Sequence, residues 1–286
     1  MVVTGLIAFF VLAFASDAHA WGPITHLVHG SEILLSLNSL PEALQELLKL
    51  HRYAYLYGCI AADIIQAKKY TRNLYTHCHC WPVGWQVIEA ARTEREQAFA
   101  YGYLSHLAGD VLSHNHFVPA QLIVSYQSRT LGHAYWEARF DAAQRRDRWR
   151  LIREVYAQRY TDCDALVSRI VERTLFSFRT NKRIFNSLLG LQQLEQWQEM
   201  VRRLGVRSRY RLAPGEVGRF NGICVEAIQD LLCNGKESRS QQSDPVGQSA
   251  LDRAIRLRRK LRLLGRTGRV TPAIAAELAA LRRAAA

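Results

Sequence analysis

Proline and glycine are scarce in this sequence of 286 residues, with 7 and 17 residues respectively. No segment alternates Val or Ile with polar residues as a half-buried strand does. These absences argue against a sheet. Apolar residues make up 49% of the chain and charged residues 22%, which is a globular rather than a disordered composition. Long runs at helical spacing, among them 85–112 and 216–233, therefore predict an all-α fold with one sizeable core, and a helix break is predicted at 114–116.

The sequence also lacks the motifs of several enzyme classes. It has no convincing nucleophile elbow, phosphate-binding P-loop or dinucleotide fingerprint. Histidine is absent after His133, and all ten histidines lie between His19 and His133. Packing alone gives no reason for this uneven distribution. Clustering of the histidines in one site accounts for it.

The first twenty residues have the features of a secretory signal peptide. The apolar run from Gly5 to Phe14 is too short to span a bilayer comfortably, and Ala18-His19-Ala20 is a small-x-small cleavage site. The segment ahead of the run has no Lys or Arg, and an uncleaved membrane anchor is the alternative. The sequence predicts export to the periplasm or the cell exterior, with Trp21 as the first mature residue.

Two histidines are each followed by a carboxylate four residues later, in the pairs His106 and Asp110, and His133 and Glu137. Residues at this spacing share one face of a helix, so each pair can close on one cation. Imidazole nitrogens and carboxylate oxygens are ligands that zinc accepts. One such pair is weak evidence, because most are ordinary surface or core contacts. Two pairs in the same histidine-rich half of the chain predict a metal site.

The ordered pattern resembles the trinuclear zinc phospholipases C and the related S1/P1-type nucleases. Its nine positions carry acceptable residues, namely Trp21, His26, Asp63, His77, His106, Asp110, His116, His133 and Glu137. The opening WGxxTH is also similar to the broader zinc-dependent phospholipase C/D domain group. The match covers Trp21 to about Asp141. It implies an all-α multi-helix bundle with three zinc ions at one end.

The resemblance also implies how the ligands are shared among the three ions. The first set comprises Asp63, His77, His106 and Asp110. Asp110 would bridge to a second ion that is completed by His26 and by the amine and carbonyl oxygen of Trp21. The third set comprises His116, His133 and Glu137. Asp63 is the candidate general base as well as a ligand.

Two of these ligand positions have a second histidine close by, and the family spacing favours the residues named above. His79 is the alternative to His77, and His114 is the alternative to His116. His29, three residues after His26, could hydrogen-bond to a ligand and hold it in place, although an ordinary polar role describes His29 better.

Closely spaced zinc ions lower the pKa of a shared water and generate a bridging hydroxide that can attack phosphorus. The sequence therefore predicts a phosphodiester hydrolase, of the phospholipase C type and acting on phospholipid. Glu137 resembles the phospholipase branch, whereas the short gap between Trp21 and His26 resembles the nuclease branch. A single-strand nuclease is the first alternative, and a non-catalytic, zinc-stabilised membrane protein is the second. The complete ligand set argues against the second.

Basic residues are concentrated beyond the predicted catalytic domain, which spans residues 21–233. Residues 234–249 are polar and rich in Ser and Gln, which predicts a linker. Residues 250–286 predict a basic amphipathic tail. This segment has ten Lys or Arg residues and only two acidic residues, Asp252 and Glu277. Such a tail, in a chain of net charge +13, suits an anionic membrane surface or nucleic acid.

Overall fold

The computed structural model describes residues 21–65, 77–129, 131–171, 176–213 and 215–266. Within these ranges the chain is helical and has no strand, so the all-α prediction is confirmed. The predicted signal peptide at 1–20 and the end of the predicted tail at 267–286 lie outside the described residues. None of the described helices combines the length and the apolar character that crossing a bilayer requires.

The α-helices follow one another through the described chain with short connections. In order they are α1 (Pro23–Leu35), α2 (Glu42–Leu50), α3 (Arg52–Ala61), α4 (Trp81–Ala90), α5 (Glu94–Leu112), α6 (Val118–Val124), α7 (His133–Ala142), α8 (Arg150–Tyr156), α9 (Thr161–Ile170), α10 (Phe178–Gln192), α11 (Glu195–Arg207), α12 (Glu216–Asn234) and α13 (Gln248–Arg266). A π-helix, Ser113–Phe117, joins α5 to α6, and a 3-10 turn, Ala62–Ile64, follows α3.

Helix α5 is the centre of the fold, and it packs against α3, α4 and α12. It begins at a capping box, in which the Thr93 side chain accepts from the Glu96 amide and Glu96 accepts from the Thr93 amide. From Ala98 to Val111 every residue except Tyr101 is buried. Tertiary packing on several sides therefore stabilises this helix more than its own propensity does.

Two glycines allow α3 and α5 to approach closely. A Cβ atom on Gly58 would lie 2.0 Å from the Phe99 carbonyl oxygen, and one on Gly102 would lie 2.0 Å from the Tyr55 carbonyl oxygen. Only hydrogen fits at either position, because both obstacles are backbone atoms. The close contact brings Asp63, just beyond α3, to the face of α5 that carries His106 and Asp110.

A second hydrophobic cluster, separate from the main core around α5, joins the start of the described chain to its C-terminal helices. It comprises Trp21, Phe117, Val118, Leu122, Trp136, Phe140, Phe220, Cys224, Leu251 and Ala254. Helix α13 contributes Leu251 and Ala254, and its contacts are chiefly with α6. The described part of the predicted tail is therefore packed into the helical body.

The segment predicted as a linker is also packed. It forms two 3-10 turns, Gly235–Glu237 and Arg239–Gln242. The Trp81 indole donates to the Ser243 carbonyl oxygen at 2.9 Å, and the Trp85 indole donates to the Gln241 side chain at 3.2 Å. Residues 235–247 thus differ from the predicted linker in that several of their polar groups bond to the helices.

Candidate metal centre

Five buried side chains meet where α1, α3 and α5 come together. They are His26, Asp63, His79, His106 and Asp110, and none is more than 2% exposed. His106 Nε2 lies 3.1 Å from His79 Nε2 and 3.1 Å from Asp110 Oδ2. His79 Nε2 lies 3.2 Å from Asp63 Oδ1. These separations allow the ligand atoms to converge on metal ions.

The two carboxylate oxygens of Asp110 face different partners. Oδ2 lies 3.1 Å from His106 and 3.4 Å from His79, whereas Oδ1 lies 3.1 Å from His26 Nε2. A carboxylate in this position can contribute one oxygen to each of two cations. The arrangement agrees with the predicted bridging role of Asp110, which remains a prediction.

Backbone contacts orient the central imidazole. His106 Nδ1 lies 2.9 Å from the Cys59 carbonyl oxygen on α3. Because a carbonyl oxygen only accepts, Nδ1 carries the proton and Nε2 presents its lone pair to the group. The His26 ring stacks on His106 with their centroids 3.9 Å apart. Helix packing thus fixes both the position and the tautomer of His106.

The charges in this group are strongly coupled. Burial would raise the pKa of Asp110, but His106 and His26 hold it well below its ordinary value. Burial would lower the pKa of His106, but the carboxylates of Asp110 and Asp63 raise it. The pKa of His26 is lowered by burial and by His106. Asp110 is therefore ionised at any physiological pH, as a metal ligand must be.

A second group forms from the π-helix and the first turn of α7. His133 Nε2 lies 2.7 Å from Glu137 Oε1, and the rings of His114 and His133 are 4.9 Å apart between centroids. His114, His133 and Glu137 place one ligand atom each within 4.8 Å of one another. Three protein ligands are the number that a zinc site with an open position uses, so this group could hold such an ion.

At both positions where the sequence left a choice, the structure groups the alternative histidine with the other side chains. His79 contacts Asp63, His106 and Asp110. The Tyr103 hydroxyl donates to the Cys78 carbonyl oxygen and so holds the turn that directs His79 inward. His77 lies beside it, with its Nδ1 accepting from the His79 amide at 3.1 Å.

His114 is buried at 3% exposure, whereas His116 is exposed. The sequence predicts a helix break here, but the π-helix continues directly from α5. His114, four residues after Asp110, therefore stays on the buried side. His77 and His116 as ligands stay predictions, and the described contacts group His79 and His114 with the other ligands.

Trp21 is completely buried beside the first group. Its indole Nε1 donates to the Gly109 carbonyl oxygen at 3.0 Å, directly before Asp110. Its ring packs on Phe117 and Phe140 at centroid distances of 4.8 and 4.1 Å. These contacts place the start of the predicted mature chain next to Asp110.

Sequence reasoning missed Asp141, which anchors the start of α1. Its carboxylate accepts from the Thr25 amide at 3.2 Å and from the Thr25 hydroxyl at 2.5 Å. Burial raises the pKa of Asp141 to about 7. A Cβ atom on Gly22 would lie 1.9 Å from Asp141 Oδ2, so a side chain at that position would displace the anchor. The signal was present, because Asp141 follows Glu137 by four residues on the same helix face.

Several buried ligand atoms have no partner beyond the other ligands among the described residues. His114 Nε2 has no hydrogen-bond partner there, and His26 Nε2 and the two Asp110 carboxylate oxygens face only each other and neighbouring imidazoles. Leaving such groups buried and unsatisfied is costly, unless a cation completes them. The set of imidazole nitrogens and carboxylate oxygens fits zinc.

The fold and the two groups define an all-α protein whose buried histidines and carboxylates are suited to hold metal ions. Residues 25–181 match the family model described as zinc-dependent phospholipase C. The match spans more than half of the chain, and the protein belongs to this family, as the pattern in its sequence predicts. Comparisons with curated proteins and with solved structures gave no significant match. Trp21 and all of α12 and α13 lie outside the matched range.

Proposed function

We propose that this protein is a zinc-dependent phospholipase C that cleaves a phosphodiester bond of a phospholipid. The observation that carries the proposal is Asp110, buried between His26 on one side and His79 and His106 on the other. Zinc ions bound there would supply a water activated near neutral pH and would stabilise the charge on the phosphate oxygens. The family match supports the same chemistry.

The proposed ligand sets follow the contacts, and they describe three ions. The first set is Asp63, His79, His106 and Asp110, the second is Asp110, His26 and the terminal amine and carbonyl oxygen of Trp21, and the third is His114, His133 and Glu137. Asp63 is proposed to accept a proton in addition to its role as a ligand. The Trp21 amine becomes available only if the predicted export and cleavage after residue 20 take place.

Helix α13 supports contact with an anionic membrane surface. Its buried face carries Leu251, Ala254 and Leu261, while its outer face exposes a stripe of cations. The exposed cations are Arg253, Arg256, Arg259 and Lys260. Leu263, at 64% exposure, adds an apolar side chain next to this stripe. A basic surface with an exposed apolar residue can dock on anionic lipid near the substrate.

Two aromatic side chains that could have stacked on the bases of a single-stranded substrate are buried. Trp136 is fully buried in the second hydrophobic cluster, and Trp81 is 9% exposed with its indole bonded to the Ser243 carbonyl oxygen. Stacking on single-stranded bases needs exposed aromatic faces. These two rings serve packing instead, which favours the phospholipid substrate.

The test uses residues 21–286 with a native N-terminus. Dialysed protein should retain about three zinc ions, and it should cleave phosphatidylcholine or phosphatidylinositol analogues faster than single-stranded DNA. Asp110→Asn should lower turnover by roughly 10²–10³-fold, the scale of losing one preorganised electrostatic group. Glu46→Gln, an acid-to-amide change on the exposed face of α2, is the control. Fewer than two tightly bound ions, or nicking of DNA without lipid turnover, would overturn the proposal.

A further inference from the structure

The structure assigns a positioning role to the C-terminal segment from Asp244 to Arg262. We propose that this segment holds His114 and His133 in the geometry that their shared metal ion requires. The segment lies wholly outside the range that matches the family model. The inference rests on the proposed zinc chemistry, since it concerns the third ligand set.

The first contact fixes the tautomer of His114. Its Nδ1 lies 2.6 Å from the Pro245 carbonyl oxygen. Because a carbonyl oxygen only accepts, Nδ1 donates and Nε2 keeps its lone pair. Nε2 is buried without a hydrogen-bond partner among the described residues, and His114 is grouped with His133 and Glu137. A histidine that ligates a metal usually has its other ring nitrogen held in this way.

The second contact fixes where the backbone of His114 lies. Gly247 has φ +61, and a Cβ atom there would lie 2.5 Å from the Cβ and 2.6 Å from the carbonyl oxygen of His114. Only glycine tolerates both this backbone conformation and this proximity. The neighbouring Asn115 side chain donates to the Asp244 carbonyl oxygen at 2.8 Å. The segment therefore contacts the π-helix at two consecutive residues, His114 and Asn115.

The third contact reaches the approach to His133. The Arg258 guanidinium, 8% exposed, donates to the carbonyl oxygens of Ser128 and Leu131, each at 2.7 Å. Arg262 donates to the Tyr126 carbonyl oxygen at 2.6 Å. Leu131 is followed by Gly132, the N-cap of α7, and then by His133. Helix α13 thus holds the connection between α6 and α7 in place, and this connection determines the position of His133 at the start of α7.

Together these contacts join both histidines of the group to one continuous segment of the chain, residues 244–262. Helix α13 is itself anchored, because Leu251 and Ala254 pack in the same cluster as Trp136, which lies between His133 and Glu137 on α7. The proposed ligands of the third ion and the residues that orient them are therefore more than 100 residues apart in the chain.

The test is Gly247→Ala, with Gly222→Ala as the matched control. Gly222 lies exposed on α12, where a Cβ atom would meet nothing within 4 Å. Zinc content and the affinity of each ion, measured by competition with a chelator, are the readouts. In Gly247→Ala the affinity for one ion should fall about 10- to 100-fold, the effect of losing a partner behind a ligand. The other ions should keep their affinity, and the control should match the wild type.

Two further variants separate positioning from general stability. His114→Ala should weaken the same ion, and adding Gly247→Ala to it should have no further effect on the remaining ions. Arg258→Met should also lower the affinity for that ion, and Arg258→Lys should recover part of it. If Gly247→Ala does not fold, these two variants provide the test of the positioning role. Unchanged affinity in Gly247→Ala and Arg258→Met, or equal weakening of every ion, would overturn the inference. A wild-type protein that holds fewer than two ions would instead count against the proposed function.

Discussion

An alanine at position 58 tests the close contact on which the metal centre depends. Its Cβ would lie 2.0 Å from the Phe99 carbonyl oxygen, although Cβ contacts below 3.0 Å are essentially never observed. The difference requires α3 and α5 to move apart by about 1 Å at this point. The obstacle is backbone, so no side-chain rotation relieves it. Overpacking of this kind costs about 1–3 kcal/mol, and we expect the upper end of that range.

The same displacement reaches the ligands. Asp63 follows α3 by two residues, and His106 lies one turn beyond Gly102 on α5. A shift of about 1 Å is several times the ~0.2 Å tolerance of metal–ligand distances. Gly58→Ala should therefore lose zinc from the first group in addition to stability. The unfolding midpoint should fall by about 2–4 °C for each kcal/mol, as is usual for a domain of this size.

Thermal unfolding and zinc titration of Gly58→Ala and Gly102→Ala are the measurements. Gly222→Ala is again the control, and it should gain about 0.5–1 kcal/mol because alanine is the better helix former at an open position. If Gly58→Ala is as stable as the wild type and binds zinc equally well, then the close contact does not set the geometry of the centre.

Three further predictions concern individual side chains. Asp110→Asn should release two ions and Glu137→Gln only one, and metal analysis showing equal losses would contradict the bridge. His79→Ala should lower zinc content more than His77→Ala does, since the His79 imidazole contacts the carboxylates of Asp63 and Asp110; the reverse result would favour His77 as the ligand. The raised pKa of Asp141, about 7 in the folded protein, favours its protonated form. Its stabilising contribution is full below about pH 4 and is lost as the pH rises to 7. Asp141→Asn should therefore gain stability relative to the wild type between pH 4 and 8 in denaturant unfolding at fixed zinc, and parallel pH profiles would contradict this.

Much of the fold could be predicted because the relevant signals are local. The sequence predicts a helix at 216–233, and α12 spans Glu216–Asn234. It also predicts a single helix over 85–112, which the structure divides into α4 and α5. The capping box at Thr93 and Glu96 starts a new helix there. This division could have been predicted, since the Thr-x-x-Glu signal is present in the sequence.

The candidate site could be predicted where it depends on helical spacing. His106 and Asp110 lie 3.1 Å apart, and His133 and Glu137 lie 2.7 Å apart, as two pairs at i and i+4 should. The choice between His114 and His116 depends on the π-helix, for which the sequence carries no local signal. Its path is set by tertiary contacts such as that with Pro245.

The contacts of the C-terminal segment could not be predicted, because composition shows that a segment is polar but not which groups it bonds to. Residues rich in Ser and Gln at 234–249 predict contact with water, and the structure directs their backbone groups at His114, Asn115 and Trp81 instead. Backbone carbonyl groups carry no sequence signature. A segment that acts through its carbonyl oxygens therefore resembles a linker in its sequence.

The second hydrophobic cluster explains how both metal groups can depend on the two ends of the described chain. Trp21 contributes its ring to this cluster and bonds to Gly109, directly before Asp110 of the first group. Trp136 contributes from between His133 and Glu137 of the second group, and Leu251 contributes from α13. A change that loosens α13 should therefore disturb the second group directly and the first group only through this shared packing. The two groups should accordingly lose zinc in that order as the cluster is weakened.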